Sequence, residues 1–92
     1  MDLDLEANAH LLEKLFPTRM ILKVIAVDLQ GIDTMLVSHL AAQGFAAVCR
    51  PGHLSKKGKY ITWEVEALFE TRARFHEALT ALATVEGVKY VL

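Results

Sequence analysis

The chain has 92 residues, enough for one hydrophobic core and one domain but not for two. Its 53% apolar and 23% charged residues exclude an intrinsically disordered polymer. Ten Lys and Arg against eleven Asp and Glu leave a net charge of −1, which disfavours a dedicated duplex-binding domain because such domains are clearly basic.

Cys49 is the one cysteine, so an internal disulfide framework and a four-cysteine metal site are both excluded. No apolar run approaches the roughly 20 residues that cross a bilayer. Asp2, Asp4 and Glu6 stand where a secretory signal would be basic. These features predict a soluble cytoplasmic protein that carries no cofactor.

Residues 1–17 read as an arm. Leu11, Leu12 and Leu15 have the spacing of a short helical turn, which Pro17 stops because the residue before proline is pushed away from helical angles. Residues 18–92 read as the domain. Its first strand is expected over 19–28, with Met20, Leu22, Val24 and Ala26 on one face and Ile21, Lys23, Ile25 and Val27 on the other. Asp28-Leu-Gln-Gly-Ile32 is the turn into a first helix, with Asp33 as the expected N-cap. That helix runs to about residue 43, buries Ile32, Met35, Leu36 and Leu40, and is closed by Gly44.

A short second strand is expected over 45–50. Pro51-Gly-His-Leu-Ser-Lys-Lys-Gly58 then reads as a protruding, turn-rich hairpin loop. Residues 59–69 give the clearest strand: Ile61, Trp63, Val65, Ala67 and Phe69 alternate with Tyr60, Thr62, Glu64, Glu66 and Leu68. Trp63, at its middle, is expected to be fully buried and to pin the helices. A second helix over 71–83 presents Phe75, Ala78, Leu79 and Leu82, and a last strand follows over 88–92.

The element order is β-α-β-β-α-β. Right-handed crossovers and a middle hairpin give an antiparallel sheet of order 4-1-3-2 with two helices on one face, the ferredoxin-like α+β sandwich. Three stretches resemble the small bacterial YbeD-type family, also called lipoate regulatory protein-like. They are Leu12-Glu-Lys-Leu-Phe-Pro17 leading into Lys23-Val-Ile25, then Ser55-Lys-Lys-Gly-Lys-Tyr60, and the ending Val88-Lys-Tyr-Val-Leu92. The resemblance implies a fold similar to amino-acid-binding regulatory (ACT) domains and no established activity.

Two groups of residues invite a functional reading. Asp28, Gly31 and Ile32 form the ligand-site candidate, since ACT domains are similar at this turn. Glycine admits close approach of a ligand, and the helix N-terminus offers N–H donors to a carboxylate. Arg50, His53, Lys56, Lys57 and Lys59 form a basic group with no acid among residues 50–59, a candidate anion or partner loop. Glu64 and Glu66 are paired carboxylates on one strand face; Lys23 of the neighbouring strand offers them a cross-strand charge pair instead of acid–base chemistry. RNA binding by the sheet is disfavoured, because Tyr60 would stack bases beside two carboxylates that repel phosphate. His10, His39, His53 and His76 are too scattered for a metal site. Cys49 reads as an inert thiol at the core edge.

No nucleophile–base pair stands out, so an enzyme is not expected. The expected function is a non-enzymatic regulatory or protein-interaction module, with an ACT-like amino-acid sensor using the Asp28–Ile32 turn at a dimer interface as the alternative. Ile21, Ile25 and Val27 form an apolar stripe opposite the helices. The N-terminal segment Leu11 to Phe16 and a second subunit are the candidates to cover it; a homodimer, sheet against sheet or along a sheet edge, would cover more area and is expected.

Overall fold

The computed structural model describes residues 15–92, and for residues 53–57 the backbone alone. The expected turn at Leu11 and Leu12, and His10 with it, lie outside the described residues. Six elements follow in order: β1 Thr18–Val27, α1 Ile32–Ala42, β2 Val48–Lys57, β3 Tyr60–Phe69, α2 Arg72–Ala83 and β4 Val88–Val91. The four strands form one antiparallel sheet of order β2-β3-β1-β4. This is the expected ferredoxin-like topology.

Register shows how the alternation of β1 and β3 becomes a two-sided sheet. Leu22 lies opposite Val65, Val24 opposite Trp63 and Ala26 opposite Ile61, so the apolar sets of both strands share the helix-facing side. One core results, containing Leu22, Val24, Ala26, Val65, Ala67 and Phe69 from these strands with Ile32, Leu36, Leu40, Ala78 and Leu82 from the helices. Phe69 links three rings across this core, 5.5 Å from Phe45 and 5.3 Å from Phe75, while Phe16 lies 6.0 Å from Phe75. Phe16 thus packs on the helix layer, not on the far side of the sheet.

Local chemistry sets the helix ends. The N-cap of α1 is Gly31, in the left-handed region at φ 82°, and not Asp33, which sits in the first turn. The strand-to-helix turn needs a positive φ, and glycine supplies it at least cost. Its C-terminus is a Schellman closure: Phe45 N–H donates to Leu40 O at 2.9 Å and Gly44 N–H to Ala41 O at 2.9 Å, with Gly44 at φ 89°. α2 starts at Thr71, whose hydroxyl accepts from Arg74 N–H at 3.1 Å.

Three further expectations are corrected. β2 begins at Val48 rather than residue 45 and runs through Pro51 and Gly52 to Lys57, so the supposed protruding loop is strand. The turn shrinks to Gly58 and Lys59, with Lys57 paired to Tyr60 and Gly58 at φ 61°. Glycine with positive φ at the first central position suits a two-residue hairpin. The pairing shifts register between Pro51 and Lys56, and this bulge absorbs the proline that a regular ladder would reject. Met35 is exposed, leaving Ile32, Leu36 and Leu40 as the buried stripe of α1. Trp63 is only half-buried, and the largest fully buried side chain is Phe69. Trp63 pairs with Pro51, the last residue before the bulge, where the neighbouring strand departs from regular pairing.

Candidate functional site

The face of the sheet opposite the helices is the most distinctive surface. Register aligns three rows across β2, β3 and β1: Val48, Glu66 and Ile21; then Arg50, Glu64 and Lys23; then Thr62 and Ile25, with Tyr90 of β4 beside Ile25. Leu92 joins the second row, because its N–H and C=O exchange hydrogen bonds with Lys23 at 2.7 and 3.0 Å. Of the stripe expected on β1, Ile21 is exposed while Ile25 and Val27 are half-buried, and exposed apolar side chains extend onto β2, β3 and β4. Of the eight large apolar side chains exposed among the described residues, five lie here: Ile21, Val48, Leu68, Tyr90 and Leu92.

A ladder of charges crosses the same face. Arg50 Nε donates to Glu64 at 3.2 Å and its Nη2 to Glu66 at 3.3 Å, while Arg19 Nη1 reaches the other oxygen of Glu66 at 3.4 Å. Lys23 stands opposite Glu64 as expected, yet the ion pair that holds Glu64 comes from Arg50 on the other side. Each such pair at a surface is worth about 0–1 kcal/mol. Both carboxylates are thus engaged by guanidinium groups.

The ligand-site candidate lies at one end of the sheet. Asp28 is exposed and its N–H donates to Lys59 O at 3.0 Å, so this turn and the β2–β3 hairpin meet. Gly31 is open: a Cβ built there meets no atom within 4 Å. Ile32 is core, not surface. Gly87 closes the same end, where a Cβ would come within 3.0 Å of Leu29 and 3.2 Å of Ile32.

Of the basic group, the side chains of Arg50 and Lys59 are described. Arg50 belongs to the sheet-face ladder, and Lys59 extends its ammonium over the Tyr60 ring, 5.4 Å from the centroid. The side chains of His53, Lys56 and Lys57 lie outside the described residues.

A groove of about 610 Å³ runs between the helices, lined in part by Ser38, His39, Gln43, His76 and Thr80. His39 and His76 are thus nearer than sequence spacing implies. Among the described residues, however, no three His, Cys, Asp or Glu side chains gather as metal ligands do. Cys49 faces the core opposite Val65; burial, and secondarily the Asp33 carboxylate, push its thiol up to about 11. A thiol so disposed carries little thiolate at neutral pH and is a poor nucleophile.

Sequence reasoning missed Arg74. Its guanidinium lies 4.1 Å over the Phe45 ring, pairs with Glu77 at 2.5 Å and donates to the Gln43 carbonyl, clamping the start of α2 onto the end of α1. Gly44 leaves room for it, since a Cβ there would sit 3.2 Å from Arg74 Nη2. No spacing rule links residues 31 apart, and only the Schellman glycine hinted at a special junction.

A family model described as a protein of unknown function, DUF493, matches residues 12–92. The chain belongs to the DUF493 family. No curated protein matches it. Among solved structures, the DUF493 chain is similar to HP0495 from H. pylori, with 17% identity, 83% of this chain and 81% of that one covered, and a TM-score of 0.66. It is also similar to the ACT domain from the GTP pyrophosphokinase of Chlorobium tepidum, at 16% identity, 80% and 94% coverage and a TM-score of 0.59. A third likeness is to the C-terminal domain of the MgtC protein from Mycobacterium tuberculosis, at 18% identity, 80% and 82% coverage and a TM-score of 0.61. At such identities the likeness is one of fold. Among the described residues of the DUF493 chain, no helix is long and apolar enough to cross a membrane.

Proposed function

We propose that this DUF493 chain is a non-enzymatic regulatory module that works through the open face of its sheet. The observation that carries the reading is the concentration of exposed apolar side chains on that face, around carboxylates already held by Arg19 and Arg50. Such a surface suits a protein partner that is apolar with charges of both signs. The family match agrees with the resemblance to YbeD-type proteins.

A second reading is an ACT-like amino-acid sensor that uses Asp28, Gly31 and Ile32 at a subunit interface. The open, left-handed Gly31 favours it, with the hairpin backbone of Lys59 alongside. The buried Ile32 side chain weighs against it.

A thermal-shift series with each amino acid at millimolar concentration separates the two readings. A ligand that binds only the folded state at about 100 times its dissociation constant stabilises by about 2.7 kcal/mol, a clear rise in Tm. The module reading expects no amino acid to raise Tm. A specific rise, lost in Gly31→Val, would establish the sensor and displace the module.

A further inference from the structure

We infer that the occupant of the open sheet face is a second copy of this chain, related by a two-fold axis that runs along the strands between β1 and β3. The inference rests on the module reading above and names its partner.

Three observations carry it. The first is that both sheet edges are poor docking sites. β2 carries Pro51 and a bulge at its outer edge, and β4 offers four residues, one of them Lys89. Proline, bulges, lysine and short length are the devices that blunt an edge against further strands. The face is left, and Phe16 itself packs on the helix layer, its ring 6.0 Å from Phe75.

The second observation is size. Four strands about 4.8 Å apart, with the longer ones ten residues long at about 3.3 Å per residue, project roughly 600 Å². Side-chain relief raises the accessible area toward the roughly 800 Å² per partner of a standard interface. A second sheet of the same dimensions matches it whole, whereas a short peptide would leave most of it wet.

The third observation is the charge pattern. Among the described side chains the face carries both signs, the cations Arg19, Lys23 and Arg50 beside the acids Glu64 and Glu66, and register places Lys57, opposite Tyr60, on the same face. With charges of both signs in one row, the orientation of a partner decides which signs meet. An axis perpendicular to the strands through this row would stack Arg50 on Arg50 and Glu64 on Glu64. An axis along the strands keeps each row in place and exchanges β1 for β3. It sets Glu64 against the partner's Lys23 and Lys23 against the partner's Glu64. Aligned sheet packing at about −30° is compatible with this arrangement.

Light scattering on the full chain at micromolar concentration, with complementary charge variants, tests the inference. The parent is expected at twice the chain mass. Lys23→Glu and Glu64→Lys, each alone, set like charges across the axis and should raise the dissociation constant tenfold or more. An equimolar mixture of the two should regain the dimer, because each interface pair then joins opposite signs. Pairing within one chain cannot produce that rescue, since mixing leaves it unchanged. Circular dichroism verifies that each variant folds. Should either charge variant fail to fold, Tyr90→Glu must weaken the dimer tenfold, while Met35→Glu on the helix layer must not. A monomeric parent, a folded mixture without rescue, or a dimer indifferent to Tyr90→Glu overturns the inference. A monomer with no amino-acid response leaves the module reading intact with a different partner; an amino-acid response overturns that reading whatever the mass.

Discussion

At the scale of single residues, side chains close in sequence part company and distant ones meet. Arg50 reads as the head of a basic run because four more basic residues follow within nine positions. Pairing of β2 with β3 instead sets it opposite Glu64 and within reach of Glu66. Trp63 teaches a related lesson. Period two assigns it correctly to the helix-facing side, but alternation says nothing of depth, and the ring is only half-buried. Its indole Nε1–H is buried with no acceptor among the described residues, a cost that a more open position would avoid. Cys49 supports a prediction at this scale. Its thiol moves from an ordinary value of 9.0 to about 11, so the native state keeps its proton where the unfolded chain loses it. The stability this contributes is fully present below about pH 9 and is lost as pH rises through 11. Iodoacetamide at pH 8 should therefore label the native thiol roughly a hundredfold more slowly than the denatured one, from the two-unit gap in thiolate population. Equal rates in the two states would refute the burial argument.

Elements were legible wherever their stop signals are local. Gly44 after an apolar-periodic run marks the end of α1 and closes it as expected, and Thr71, read as the first residue of α2, is its N-cap. β2 was not legible, because Pro51-Gly52 is ordinarily a turn signal. On an edge strand the proline nitrogen needs no partner, and a bulge takes up the misfit, so the strand continues. The cap of α2 gives a measurable consequence. Thr71→Ala removes the acceptor for Arg74 N–H and should cost about 1 kcal/mol in urea unfolding, whereas Thr71→Asp should restore most of it. Equal stability of the alanine variant and the parent would show that water replaces the hydroxyl there.

The whole molecule is one core between one sheet and two helices, and Phe69 stands at its centre, in contact with the rings of Phe45 and Phe75. Phe69→Ala is expected to cost about 3–5 kcal/mol, more than any exposed substitution on the sheet face, with one cooperative transition retained. A loss below 1 kcal/mol in a denaturant titration would mean the core does not depend on that ring. By itself the sequence determined the element order, the face of each β1 and β3 residue and an apolar set on the outer face of β1. All three follow from periodicity and connection rules that act over a few residues. Only the tertiary structure decided how deep Trp63 lies, that Arg50 and Arg19 hold the paired glutamates, that Arg74 ties α2 to α1, and that the stripe widens across β2, β3 and β4. Those outcomes depend on strand register and on approaches between residues tens of positions apart, and no local pattern encodes them.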